Sequence, residues 1–109
     1  MKIKVAQIGV GYWGPNLLRN LIDSPKFDIK IVIDRSLKRR SFVSSMYSSL
    51  VVSDNEEDVF SNTEIEGVII ATPLESHFDL SMRALNSGKH ILVEKPMVEK
   101  IEEIEEISL

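Results

Sequence analysis

Short apolar runs alternate with longer amphipathic stretches along the chain. Ile3-Lys4-Val5-Ala6-Gln7-Ile8 predicts a strand that ends at Gly9. From Trp13 to Asp23 the residues Leu17, Leu18, Leu21 and Ile22 fall on one helical face. Pro15 fits the first turn of that helix, where backbone N–H groups have no intrahelical partner. Ile29-Lys30-Ile31-Val32-Ile33 is a β-branched run between the Ser24-Pro25 break and Asp34, and predicts a second strand. Ser36 predicts the cap of a helix reaching to Ser49, followed by a short strand at Leu50-Val51-Val52 and an acidic helical turn from Asn55 to Phe60. Gly67-Val68-Ile69-Ile70-Ala71 is wholly apolar, as expected of a strand covered on both faces. Thr72-Pro73 stops it, and a helix from Glu75 to Ser87 is closed by Gly88 at C′. His90-Ile91-Leu92-Val93-Glu94 predicts another strand, stopped by Pro96. Val98, Ile101, Ile104 and Ile107 mark a last helix whose stripe drifts at a spacing of three, suited to a core face or a partner surface.

Strands alternating with helices predict an α/β fold with a parallel sheet and right-handed crossovers. At 109 residues the chain has the size of one domain. Its 43% hydrophobic and 28% charged content excludes a disordered chain, and no apolar run approaches the roughly 20 residues a membrane helix needs. There is no Cys, so disulfides and thiolate metal sites are excluded and a cytoplasmic setting is expected. The start leads directly into strand-like sequence without the apolar segment of a secretion signal. The net charge of −4 lies in residues 97–109, with five Glu and one Lys, whereas residues 1–96 balance 12 basic against 12 acidic groups. A neutral body offers no field to draw nucleic acid or an acidic membrane, so neither partner is expected.

Gly9-Val10-Gly11-Tyr12-Trp13-Gly14 is a G-x-G-x-x-G between a predicted strand and a predicted helix, and Asp34 ends the next strand 20 residues past Gly14. That spacing is what a dinucleotide site requires. Gly9 permits a tight turn, Gly11 lets backbone approach a pyrophosphate, and Gly14 allows close helix–strand packing. The helix N-terminus then holds the phosphates. Asp34 would accept hydrogen bonds from the adenosine ribose and favours NAD, while Arg35, with Lys38, Arg39 and Arg40 behind it, leaves NADP open. A ligand-free glycine turn is the bland alternative for the loop, and a solvated helix face for the basic run.

Ala71-Thr72-Pro73-Leu74-Glu75-Ser76-His77 and Glu94-Lys95-Pro96 also follow predicted strands. Strands of a parallel sheet end along one edge, so Gly9, Asp34, Thr72 and Lys95 converge on one rim. Lys95 could be a surface lysine, or could orient a substrate hydroxyl and shuttle its proton. His77 suits a structural place in the first turn of its helix, and His90 is read as structural. Tyr12 and Trp13 pack on the sheet edge or cover a cofactor. No metal-ligand spacing and no nucleophile–base pair is evident.

Gly9-x-Gly11-x-x-Gly14-Pro15-Asn16, Ala71-Thr72-Pro73 with His77, Gly88-Lys89-His90 and Glu94-Lys95-Pro96 together resemble the N-terminal domain of the Gfo/Idh/MocA oxidoreductases. The Gly-Tyr-Trp-Gly-Pro-Asn form most resembles members that oxidise sugars or sugar nucleotides, such as the UDP-N-acetylglucosamine 3-dehydrogenase type. The resemblance implies a Rossmann-type doubly wound domain over residues 1–109, binding NAD(P). It further implies a separate substrate domain that forms the homo-oligomer interface, and hydride transfer between nicotinamide and a carbinol carbon. It assigns Lys95 a catalytic role, the glycine loop with Asp34 to the cofactor, and Thr72, Pro73 and His77 to the nicotinamide side; Glu94, beside Lys95, is also expected to bind the cofactor. With no substrate domain in these 109 residues, cofactor binding with little turnover and some self-association are expected. A non-catalytic NAD(H)-sensing module is the alternative, and a methyltransferase is disfavoured by Gly14 and Glu94-Lys95-Pro96.

Overall fold

The computed structural model describes residues 2–11 and 14–93. Tyr12, Trp13, Glu94, Lys95, Pro96 and the helix predicted over 98–109 lie outside the described residues.

The described elements are β1 (Ile3–Ile8), α1 (Gly14–Asp23), β2 (Phe27–Ile33), α2 (Leu37–Met46), β3 (Val52–Ser53), α3 (Glu57–Phe60), β4 (Gly67–Ile70), α4 (Leu74–Asn86) and β5 (His90–Val93). They form one parallel sheet in the order β3-β2-β1-β4-β5. The alternating pattern predicts the parallel α/β sheet, and the strand order is the Rossmann type that the family resemblance implies. The chain winds outward from β1 in one direction through β3, then crosses back to β4, so a crevice opens between the carboxyl ends of β1 and β4.

Strand periodicity divides the core. Ala6, Ile8, Val68 and Ile70 face one side, where they meet Leu80 and Ala84 of α4 and Val59 and Phe60 of α3. Val5 and Ile69 face the other, against Leu18 and Leu21 of α1 and Val43 of α2. A register shift opposite Val5/Ala6 skips Lys30, so Ile29 and Ile31 pack on opposite faces although they are two residues apart. All four residues of β4 are buried, as expected for a central strand.

Helix ends follow their capping chemistry. Ser36 accepts the Arg39 N–H at the start of α2. At the end of α4, Gly88 has φ of 75°. The Gly88 N–H donates to the Leu85 carbonyl and the Lys89 N–H to the Ala84 carbonyl, the two bonds of a Schellman motif.

Several boundaries differ from the sequence expectation. The second helix stops at Met46 and not at Ser49, because the Leu50 N–H turns back to the Tyr47 carbonyl. The third strand is only Val52–Ser53, since its pairing with β2 begins at Val32. The acidic turn is helical from Glu57, with Asn55 outside it accepting the Glu57 N–H in an Asx turn. Strand β2 begins at Phe27, two residues before the β-branched run, because Ile3 and Lys4 already pair with Phe27 and Asp28. Ile22 is exposed at the end of α1, which meets the sheet through Gly14, Leu18 and Leu21.

Candidate functional site

The crevice at the β1–β4 boundary holds a cleft of about 610 Å³, within the range of small-molecule sites. Gly9, Gly11, Asp34, Arg35, Thr72 and Pro73 line it. These six residues come from three separate stretches of the sequence.

Gly9 has φ of 97°. A Cβ built there would lie 2.6 Å from the Ala71 carbonyl oxygen and 2.8 Å from Thr72 Cγ2. The loop therefore leaves β1 pressed against the end of β4, at a position where no side chain fits. Gly14 behaves similarly on the other side, since a Cβ would stand 2.9 Å from the Gly9 carbonyl oxygen. Gly11 is different in kind. The nearest atoms to its added Cβ, among the described residues, belong to the Arg39 guanidinium, at 3.6 Å, an ordinary contact distance on the cleft lining. Gly9 and Gly14 let the loop close, while Gly11 leaves its backbone open to a ligand.

The loop is stapled by a residue the sequence reading did not single out. Gln7 is fully buried in β1, and its Nε2 donates to the carbonyls of Gly9 (2.9 Å) and Gly14 (3.0 Å). One amide group thus joins both ends of the turn. The signal was present in the strand period, which places Gln7 on the same face as Val5, beside the glycine loop and under α1. Gln7→Leu would leave two loop carbonyls without this donor. We expect a stability loss of about 1–3 kcal/mol by urea unfolding, with weakened dinucleotide affinity by calorimetry. Unchanged values of both would show that the staple is dispensable.

Asp34 is 8% exposed and has both oxygens engaged. Its Oδ2 accepts the Val10 N–H and its Oδ1 the Ser36 N–H, each at 2.9 Å. The carboxylate therefore links the glycine loop to the start of α2. Each oxygen of a carboxylate has a second lone pair beyond the bond it accepts, and Asp34 is among the residues lining the cleft. Arg40 Nη1 donates to the Asp34 and Arg35 carbonyls, so this member of the basic run closes the end of β2. Arg39 joins Arg35 in the cleft wall.

On the other wall, Ser76 Oγ lies 2.7 Å from Thr72 Oγ1 and 2.8 Å from the Pro73 carbonyl. His77 is 4% exposed and is not among the residues lining the cleft. Its Nε2 lies 2.5 Å from the Thr72 carbonyl, which can only accept, so this nitrogen carries the proton. His77 thus supports Thr72 from behind and does not form the wall itself, and Gly14 also stands behind the lining. His90 is exposed at the opposite end of the sheet. Among the described residues no group of His, Asp and Glu is placed to hold a metal ion, and no helix is long and apolar enough to cross a membrane.

A charge cluster from α3 and α4 also reaches the cleft. Glu56 lines it, with Oε1 accepting from Arg83 Nη1 at 2.8 Å and Oε2 at 3.6 Å from Arg35 Nη2. Arg83 Nη2 donates to Glu57 Oε1 at 2.7 Å, and its guanidinium lies 4.6 Å from the centroid of the Phe60 ring. Burial works against the Arg83 charge, but the hydrogen bonds it donates to Glu56 and Glu57, with the attraction of their charges, outweigh it and hold the pKa above its ordinary value.

Residues 3–108 match the family model for the Gfo/Idh/MocA group, described as an oxidoreductase family with an NAD-binding Rossmann fold. Among curated proteins the chain is similar to scyllo-inositol 2-dehydrogenase (NAD(+)) of Bacillus subtilis, with 31% identity over 103 residues, 94% of this chain and 30% of that protein. It is also similar to scyllo-inositol 2-dehydrogenase (NADP(+)) IolW of Bacillus subtilis, at 30% identity over 107 residues, 92% of this chain and 29% of that protein. Among solved structures, an NAD-binding protein from Listeria innocua superposes with a TM-score of 0.91 at 26% identity, over 99% of this chain and 32% of that one. The chain spans about a third or less of the length of the relatives it matches. The parallel sheet, the glycine loop at its switch point and the match over residues 3–108 agree: the chain belongs to the Gfo/Idh/MocA oxidoreductases, as an NAD(P)-binding Rossmann domain of that family.

Proposed function

We propose that this chain forms the dinucleotide half of an oxidoreductase that moves a hydride between nicotinamide and a hydroxyl-bearing carbon of a sugar, sugar nucleotide or related polyol. The observation that carries the reading is the convergence of Gly9, Gly11, Asp34 and Thr72 on one cleft at the β1–β4 crevice. The family's inositol dehydrogenases support the substrate class. Bound NAD(P) supplies the hydride acceptor or donor, and the rest is work for the protein.

The glycine loop, held by Gln7, presents backbone N–H groups to the pyrophosphate at the N-terminal end of α1, where the helix dipole favours negative charge. Asp34 accepts from the adenosine ribose hydroxyls, with its position fixed by Val10 and Ser36. Thr72 and Pro73, braced by His77 and Ser76, form the wall beyond the ribose. In sequence, Tyr12 and Trp13 lie between Gly11 and Gly14, and Glu94-Lys95-Pro96 comes directly after β5, the strand paired with β4. Lys95 is the group assigned to the substrate oxygen, holding it and exchanging its proton. The substrate is assigned to protein outside residues 1–109, together with a homo-oligomer interface. Taken alone, this chain is expected to bind cofactor with little turnover. No nucleic acid or membrane enters this reading.

Calorimetry with ADP-ribose tests it, since that ligand contains the ribose and pyrophosphate that the loop and Asp34 address. Saturable binding, with S-adenosylmethionine failing to compete, is the expected result. No heat with ADP-ribose, or displacement by S-adenosylmethionine, would overturn the reading.

A further inference from the structure

The choice between a free ribose 2′-hydroxyl and a 2′-phosphate depends on which charges face it. A phosphate needs an available guanidinium, whereas a hydroxyl pair suits a carboxylate. The sequence offers four cations after Asp34, but two are already engaged. Arg40 is committed to the Asp34 and Arg35 carbonyls at 2.8 and 3.0 Å. Arg35, whose side chain is 83% exposed, is paired with Glu56.

Glu56 is not a loosely held surface group. Its side chain is only 15% exposed, and Arg83 fixes one oxygen at 2.8 Å. Arg83 is itself held by Glu57 and stacked on Phe60. An anchored carboxylate therefore stands in the wall of the same cleft as Asp34. The lining as a whole carries three carboxylates, Asp34, Glu56 and Glu75, against the guanidinium groups of Arg35 and Arg39.

We propose that Glu56 is a specificity residue: its fixed carboxylate neutralises Arg35 and adds negative charge to the cleft, so that NAD(H) is taken in preference to NADP(H). The proposal rests on the dinucleotide reading above. A ribose hydroxyl is indifferent to the Glu56 charge at this range, whereas a 2′-phosphate, with nearly two negative charges, is not. Removing the charge equalises the lining and frees Arg35. Relatives named for each of the two cofactors occur in this family, so the preference is set by individual residues and not by the fold.

The test titrates the chain and its variants with NADH and NADPH by calorimetry at low ionic strength, with folding checked by circular dichroism. Unmodified chain should bind NADH more tightly. In Glu56→Gln, NADPH affinity should rise about three- to fivefold while NADH affinity stays within about twofold. Arg35→Ala in that background should remove the gain. Glu57→Gln loosens Arg83 without touching a cleft carboxylate and should leave the preference unchanged. Arg35→Ala in the otherwise unmodified chain replaces an exposed side chain, so it reports even if Glu56→Gln fails to fold. Removing Arg35 alone leaves the Glu56 charge uncompensated in the lining, so NADPH affinity there should fall while NADH affinity stays within about twofold. An unchanged NADPH affinity in that single variant, a Glu56→Gln preference equal to that of the unmodified chain, or a gain that survives removal of Arg35 would overturn the proposal. Unmodified chain that binds neither nucleotide would instead overturn the dinucleotide reading, and the inference with it.

Discussion

Gly9→Ala is expected to abolish dinucleotide binding and to lower stability by about 3 kcal/mol or more. Two costs add at this position. The backbone has φ of 97°, which a side chain disfavours by about 1–2 kcal/mol. The new methyl would also stand 2.6 Å from the Ala71 carbonyl oxygen. That oxygen cannot simply yield, because the Ala71 N–H is bonded to the Ile8 carbonyl at 2.8 Å and the Gly9 N–H to the Ile33 carbonyl at 2.7 Å. Relief requires prising β1 from β4 at the mouth of the cleft, which spoils both walls. Gly88 provides the comparison within the same molecule. It also has positive φ, of 75°, but a Cβ there meets nothing within 4 Å. Gly88→Ala should therefore cost only the backbone share, about 1 kcal/mol, and leave binding intact. Urea unfolding and an NADH titration of the two variants check this, and equal losses would show that the close approach at Gly9 has no consequence.

Asp34→Ala carries the second large effect. The carboxylate accepts two backbone N–H groups at 2.9 Å in a site that is 8% exposed. Its removal strands the Val10 and Ser36 donors and unties the glycine loop from the start of α2. A stability loss of about 2–4 kcal/mol follows from two charge-assisted bonds lost with partial burial. The ribose loses its acceptor as well, so NADH affinity should fall by about tenfold or more. NADPH should suffer less, since the same substitution removes a negative charge facing the 2′-phosphate. Affinities for both nucleotides, measured beside unfolding curves, separate these effects. Retained stability together with unchanged NADH binding would mean that the two backbone contacts and the ribose role are both misassigned.

What was legible in the sequence is what local rules govern. A strand, a glycine turn and a helix start are encoded within twenty residues, and the apolar run of β4 announced a central strand. Ser36 and Gly88 cap their helices because capping depends on one residue and its nearest neighbours. Convergence of Gly9, Asp34 and Thr72 was also legible, because a parallel sheet sends every strand end to one rim. The register shift at Lys30 was not, since alternation in Ile29–Ile33 reads the same with or without it. The Glu56–Arg83 pair joins residues 27 positions apart on different elements, and no local pattern marks it. His77 was expected on the nicotinamide side, but its ring turns inward to the Thr72 carbonyl, a choice of rotamer and packing that residue type does not reveal. Gln7 lay between these cases. Its burial followed from the strand period, but its two acceptors became visible only once the loop had closed over it.

A titration with NADH and NADPH, following Trp13 emission and its transfer to the reduced nicotinamide, tests the central claim most directly. Trp13 is the chain's single tryptophan and lies in sequence between Gly11 and Gly14. Saturable quenching with transfer, tighter for NADH than for NADPH, is the predicted result. A flat response to both nucleotides, from a chain whose circular dichroism shows it folded, would contradict the assignment of the β1–β4 cleft as a dinucleotide site.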